Sequence, residues 1–473
     1  MTTHKSEHPK ARKVSTSNLF DSVSRRMNKK GGRPVAQIRL PSRRSCAANS
    51  PRTSNWWLPT VLAAGMALGT VSWPSPGAAQ TPPQGLIALY QYPGCDNNGL
   101  SFGGPPCPSG ALYENAAKNP AIAGLMIRVD WRDMYRPAWS GLIDWSITDA
   151  VFAQAAKYGK FVVLSFVPGF ATPQWALDQI PVTGQDQFCI QYGSVPFVAK
   201  AGQLSTLPMP WDTTYQTLWS NFLQQVSLRY ASNPQFKMIA AAGPTSISEE
   251  MSLPGAGTPG ECAAQIDAER TRWKTKHFYT PEMYVASWNS VFSTYASFFS
   301  GQFASLALYP GLPIASKLVL HPITDTPSMV IGAGAATPSL MFAVEANGLT
   351  PESPGSLPYD LVKSSVGKLS KVGKLATGFE FATSALLNPE KQGDAADPTN
   401  ALCLSLQTGL NTGVDYLEIY EEDAKTLDPS VQALLQTAEN QLLSPAGTSR
   451  TPLPCHIPRI PPPPCGPTLN TCR

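Results

Sequence analysis

Gly124 to Leu177 reads GLMIRVDWRDMYRPAWSGLIDWSITDAVFAQAAKYGKFVVLSFVPGFATPQWAL, and this stretch decides the fold. Ala123–Val129 and Phe161–Val167 are short, nearly continuous apolar runs, as expected of strands covered on both faces. Between them Asp144 can cap a helix in which Ile147, Val151, Ala155 and Tyr158 share one face, and Gly159 ends it. Strand, helix and strand in this order argue for a parallel sheet.

The same alternation extends in both directions. Further strands are expected at Leu86–Tyr90, Met238–Ala242, Lys317–Leu320, Leu340–Val344, Ala376–Phe381 and Tyr416–Ile419, which makes eight. Asp212 precedes a helical face of Tyr215, Trp219, Phe222 and Val226. Thr280-Pro281 opens a helix that buries Trp288, Phe292, Tyr295 and Phe299, and Val431–Leu443 forms a last helix. Residues 324–339 are rich in Gly, Ala and Pro and read as a poor helix. Eight strands with interleaved helices predict an α/β fold, a (β/α)8 TIM barrel with long loops, over residues 80–444. The competing architecture is a doubly wound open sheet. Tyr92-Pro93-Gly94-Cys95, after the first strand, lacks the spacing of a phosphate-cradling glycine loop.

Two acidic outcrops follow apolar runs: Ser248-Glu249-Glu250 and Phe379-Glu380-Phe381. In a closed barrel both emerge at the carboxyl-end rim, and an unpaired acid between two Phe is expensive to bury. A pair of carboxylates suits glycosidic bond cleavage. The plain alternatives are an exposed loop pair at Glu249-Glu250 and, for Glu380, an ion pair with a structural Arg or Lys. Glu418 alternates with Leu417 and Ile419 and so faces one side of the eighth strand, as a substrate contact or a structural group. Glu345 also follows an apolar run and replaces Glu380 if the strand count differs. Glu421, Glu422 and Asp423 read as a solvated rim. His277 and His321 have no evident partner, although His321 ends the fifth expected strand and would line the pocket.

The termini differ from the centre. Residues 1–54 carry thirteen Lys or Arg against Glu7 and Asp21 and show no periodicity, so they read as a disordered basic leader. Residues 55–79 are uncharged, with an apolar run over 56–73, and read as the hydrophobic region of a secretory signal; the alternative is a membrane anchor. Without this leader the chain is net acidic, by about seven charges, which removes the electrostatic case for a nucleic-acid partner. An exported protein, periplasmic or extracellular, permits disulfides. Cys95–Cys107 and Cys189–Cys262 are the expected pairs, and Cys403 is expected to be a buried free thiol. Cys455, Cys465 and Cys472 belong to a Pro-rich tail over 445–473, read as extended and outside the barrel. No cysteine spacing suits zinc, and no structural metal is expected.

The quoted stretch resembles the second and third barrel units of clan A glycoside hydrolases. Arg128, Trp131, Asp144-Trp145 and Pro173-Gln174-Trp175 stand where that clan has an arginine-bearing strand ending in tryptophan, a helix-opening Asp-Trp and a Pro-x-Trp loop. The resemblance implies a retaining glycosidase without cofactor, acting on a carbohydrate, with its acid/base after strand four and its nucleophile after strand seven. Those positions fall on Glu250 or Glu249 and on Glu380. The clan's Asn-Glu pair is replaced by Ser248-Glu249 and Glu249-Glu250. Glu250 is preferred, because a buried setting beside Met251 would raise its pKa. Arg128 or Asp130 would orient the nucleophile or bind a hydroxyl, and Trp131 and Trp175 would offer flat faces to sugar rings, or else pack in the core. A non-catalytic carbohydrate-binding or cell-envelope protein on the same scaffold is the main alternative, and a metal-dependent hydrolase a third.

Overall fold

The computed structural model describes residues 81–92, 114–135, 142–190, 202–255, 262–309, 312–313, 325–444 and 450–456. Eight parallel strands close into a barrel: β1 (Gly85–Tyr92), β2 (Gly124–Asp130), β3 (Phe161–Val167), β4 (Phe236–Ala240), β5 (Phe303–Leu308), β6 (Met341–Leu349), β7 (Ala376–Phe381) and β8 (Tyr416–Tyr420). Closure comes from β1, which pairs with β2 through Ile87 and Gly124 and with β8 through Ile87 and Glu418. An open doubly wound sheet is thereby excluded. The principal helices outside the barrel are α1 (Ser146–Tyr158), α2 (Thr213–Tyr230), α3 (Pro281–Phe298), α4 (Asp325–Ala336), α5 (Leu357–Ser365), α6 (Pro398–Leu410) and α7 (Pro429–Leu442).

The helix starts follow from side-chain chemistry. Asp212 accepts from the Tyr215 N–H and Thr280 Oγ1 from the Met283 N–H, satisfying backbone donors that have no helical partner. Asp144 accepts from Ser146 N–H at 3.0 Å, and Gly159 ends α1 in the left-handed conformation with φ 67°.

Alternation along the strands sorts the residues into two cores. Ile87, Leu89, Met126, Val163, Met238, Phe303, Ala343, Ala376 and Tyr416 fill the barrel's interior, while the outward residues pack beneath the helices. Continuing the inward positions towards the carboxyl ends gives Arg128, Ser165, Ser305, Glu345, Glu380 and Glu418. The barrel interior is therefore apolar below and charged above.

Several expectations are corrected. The fifth strand is Phe303–Leu308, not Lys317–Leu320, which together with His321 lies outside the described residues. Its inward positions are Phe303, Ser305 and Ala307, so the apolar signal is diluted on one face. Residues 325–336 form helix α4 despite their composition. Gly334 lies where any Cβ would collide with the Phe342 ring, so the glycine that weakens the helix permits its close packing on β6. Cys403 is not a free thiol: it is bonded to Cys455, with Cα atoms 5.5 Å apart. Leu453 is buried and Arg450 donates to the Leu410 and Val414 carbonyls, so residues 450–456 pack against the end of α6. Asp423 is buried rather than solvated, accepting from Ser384 Oγ and the Ala385 and Leu386 N–H groups. Cys189–Cys262 forms as expected, joining the end of a small hairpin, Gln185–Cys189 with Leu204–Pro208, to the segment after β4. Cys95, Cys107, Cys465 and Cys472, like residues 1–80, lie outside the described residues. Among the described residues no helix is long and apolar enough to cross a membrane.

Candidate active site

Arg128 stands at the centre of the charged layer. It projects inward from β2, is 4% exposed, and its Nη2 bonds both Glu249 Oε1 and Glu380 Oε2, the latter at 2.5 Å. Its Nη1 donates to Glu380 Oε1 at 3.2 Å, so the grip on Glu380 is two-pronged. Glu249 reaches the same guanidinium from a loop that leaves β4 at Ala240 and is held against β5 by the Met251 N–H, which donates to Ala307 O. Two oxygens bound to one nitrogen lie at most about 5 Å apart, near the spacing of two carboxyls that act on one glycosidic bond.

Around this pair the structure adds partners that the sequence did not reveal. Asn347 of β6 donates from Nδ2 to Glu249 Oε1 at 3.2 Å. Tyr420 Oη donates to Glu380 Oε1 at 3.4 Å, and Tyr416 Oη to Glu345 Oε2 at 2.6 Å. Tyr416, Glu418 and Tyr420 alternate in YLEIY, so once Glu418 is placed inward both tyrosines follow. Gly378 of β7 makes room for Tyr416, because a Cβ there would collide with that ring. Asn347 carries no such signal.

The acids are unequal. Glu250 is half-buried, accepts from Ser248 Oγ at 2.8 Å, and is pushed up to about 8 by desolvation and then by the Glu249 and Glu380 charges. Burial raises Glu380 as well, partly offset by Arg128. Glu345, 1% exposed, is raised to about 7 by burial first, with Tyr416 pulling the other way. Glu418 is fully buried, neither of its oxygens has a partner among the described residues, and desolvation lifts it far above the carboxylate range. It sits in register beside Glu380. Burial without a partner favours the protonated form of such a carboxyl. Asp130, 1% exposed, is raised to about 7 by burial and pairs with Arg132 at 2.6 Å.

Glu249, Glu380, Arg128, Glu345 and Glu418 are thus brought together, and Glu250 adjoins them. The Arg-paired reading of Glu380 is realised in its geometry, although the partner also holds Glu249. Trp131 offers no face to solvent: it is fully buried, with Trp219 and Phe222 at centroid distances of 5.1 and 5.8 Å. Trp175 is 36% exposed and stands edge-on to Trp131 and Tyr135. Of the two tryptophans, Trp175 is the one open to a ligand. Among the described residues no group of three His, Cys, Asp or Glu side chains is arranged to hold a metal ion.

No protein-family model matches the chain, and no curated protein matches it in sequence. Similar solved structures include the catalytic domain of a β-amylase from Paenibacillus polymyxa, at 11% identity and TM-score 0.43, covering 74% of this chain and 95% of that one. A β-galactosidase from the Antarctic haloarchaeon Halorubrum lacusprofundi gives 11% identity and TM-score 0.43, covering 78% of this chain and 59% of that one. A GH30 endoxylanase from Clostridium papyrosolvens gives 10% and 0.37, with coverages of 77% and 73%.

Proposed function

We propose that the chain is an exported glycoside hydrolase that cleaves O-glycosidic bonds with two carboxyl groups and retains anomeric configuration. The observation that carries this reading is the convergence of loop and strand at the barrel mouth: Glu249 and Glu380, 131 residues apart, share one arginine, which sets Glu250 close enough to Glu380 for their charges to interact. Glu250, protonated up to about pH 8, is the acid that donates to the leaving oxygen. Glu380, gripped on both oxygens by Arg128 and at Oε1 also by Tyr420, which favour and orient its ionised form against burial, attacks the anomeric carbon in that form. Water then cleaves the glycosyl-enzyme with Glu250 acting as base, which restores both groups. Glu249 supplies negative charge that raises Glu250 and shares the arginine. The domain limits complete the proposal: a basic leader over 1–54, a signal or anchor over 55–79, the catalytic barrel over 80–444 and a Pro-rich tail after it.

The test is turnover on a panel of aryl glycosides and oligosaccharides by wild type and Glu380→Gln, with the product anomer followed by NMR. Retained configuration and loss of turnover in Glu380→Gln support the reading; absence of turnover on every substrate, or full activity in the variant, overturns it. A non-catalytic carbohydrate-binding role is the second reading. It is favoured by the near-complete burial of Glu380 in its ion pair.

A further inference from the structure

A cavity lies outside the barrel wall, at the carboxyl ends of β6 and β7 and under the start of α5, with a volume of about 220 Å³. We propose that it is a binding pocket for one uncharged pyranose ring, adjoining the carboxylate pair; that the ligand is a sugar rests on the function proposed above.

The lining matches that chemistry. Tyr309, partly exposed, is the aromatic ring that offers a face to the cavity, while Tyr359 and Phe379, stacked with centroids 5.2 Å apart and planes at 20°, are buried and form its floor. Aromatic rings receive the C–H faces of a sugar. Thr350, Ser353 and Ser356 add hydroxyls to the lining and Glu352 a carboxylate. Among the described residues no Lys, Arg or His lines the cavity, and Glu352 is the one charged side chain there, so those residues offer a phosphate or carboxylate ligand no positive partner. A few placed polar groups on a mostly apolar wall are what orient a small ligand.

The pocket is built before any ligand arrives. The Thr350 N–H donates to Ser353 Oγ at 2.8 Å, the Ser353 N–H to Thr350 O at 3.1 Å, and the Ser356 N–H to Ser353 O at 2.9 Å. Gly348 has φ +88° and nothing within 4 Å of where a Cβ would stand, so the left-handed backbone turns the chain at the open edge of the cavity. Asn347 ties this place to the chemistry: it is part of the wall and also donates to Glu249 at 3.2 Å, while its Oδ1 has no partner among the described residues. A ring seated here is one side chain away from a carboxylate of the pair.

The experiment is saturation-transfer NMR of the folded chain with glucose, galactose, mannose and xylose, with gluconate as the anionic control. Wild type, Glu380→Gln, Ser356→Trp and Glu352→Trp are compared. Ser356 makes no capping hydrogen bond with its side chain and is exposed, as is Glu352, so the indoles fill the mouth without removing a structural contact. Expected is binding of at least one neutral pyranose to wild type and Glu380→Gln, at least tenfold weaker in each Trp variant with melting temperature unchanged, and no gluconate binding. If no neutral pyranose binds, or if both folded Trp variants bind as wild type does, the pocket proposal is overturned. Hydrolysis that persists in that case leaves the enzyme reading standing, whereas pocket binding without any hydrolysis removes the enzyme reading alone.

Discussion

Arg128 is bonded to two buried carboxylates, so deleting its charge while keeping its volume isolates an electrostatic effect. Arg128→Met leaves Glu249 and Glu380 without their shared cation and is expected to cost about 3–5 kcal/mol in urea unfolding at pH 8, less at pH 5, where protons replace the arginine. Glu345 gives a pH dependence of definite sign. Its folded pKa of about 7 exceeds the ordinary 4.5, so the folded state holds the extra proton between those values, and stability falls as pH rises from about 4.5 to about 7. Glu345→Gln, an uncharged isostere that still meets Tyr416, flattens that slope, by an amount of order 1–3 kcal/mol. For catalysis, kcat/KM should lose its acid form above about pH 8 through Glu250, and Glu250→Gln should lower it roughly 10²–10⁴-fold. The acids of this site were legible in the sequence because a carboxylate among Phe, Leu and Ile conflicts with its neighbours. Asn347 was not, because an amide provokes no such conflict, and Trp131 stays open between rim and core in the sequence because the ring's direction depends on α2, which is distant along the chain.

Elements were legible where the local and the global signals agree. Caps at Asp212 and Thr280 announce α2 and α3, and Asp212→Ala should cost about 1 kcal/mol of stability, measured by thermal unfolding. The fifth strand was missed because FASLAL places Ser305 and Ala307 on the crowded inner face, where small residues fit and continuous hydrophobicity is not needed. Helix α4 was undervalued for the related reason that propensity is a weak prior and a glycine can be chosen for contact. Cys403 shows the limit of pattern reading at this scale: its helical position is correct, yet its partner arrives from the tail, 52 residues on. Removing that bond with Cys403→Ser is expected to destabilise the chain by about 2–5 kcal/mol, read as a lower denaturation midpoint in the absence of reductant.

For the whole molecule, barrel closure was legible from the count and spacing of apolar runs, even with one run misplaced, since β5 must lie somewhere between α3 and β6. What no count discloses is the interior's charge arithmetic. One guanidinium faces Glu249, Glu345, Glu380 and Glu418, and burial lifts Glu345, Glu380 and Glu418 while neighbouring Glu250 rises too. Refolding near neutrality must therefore draw hydrogen ions out of solution. The heat of refolding at pH 7 should differ between phosphate and Tris by the difference in their ionisation enthalpies times the number of ions taken up, and weakly buffered samples should turn alkaline as the chain collapses.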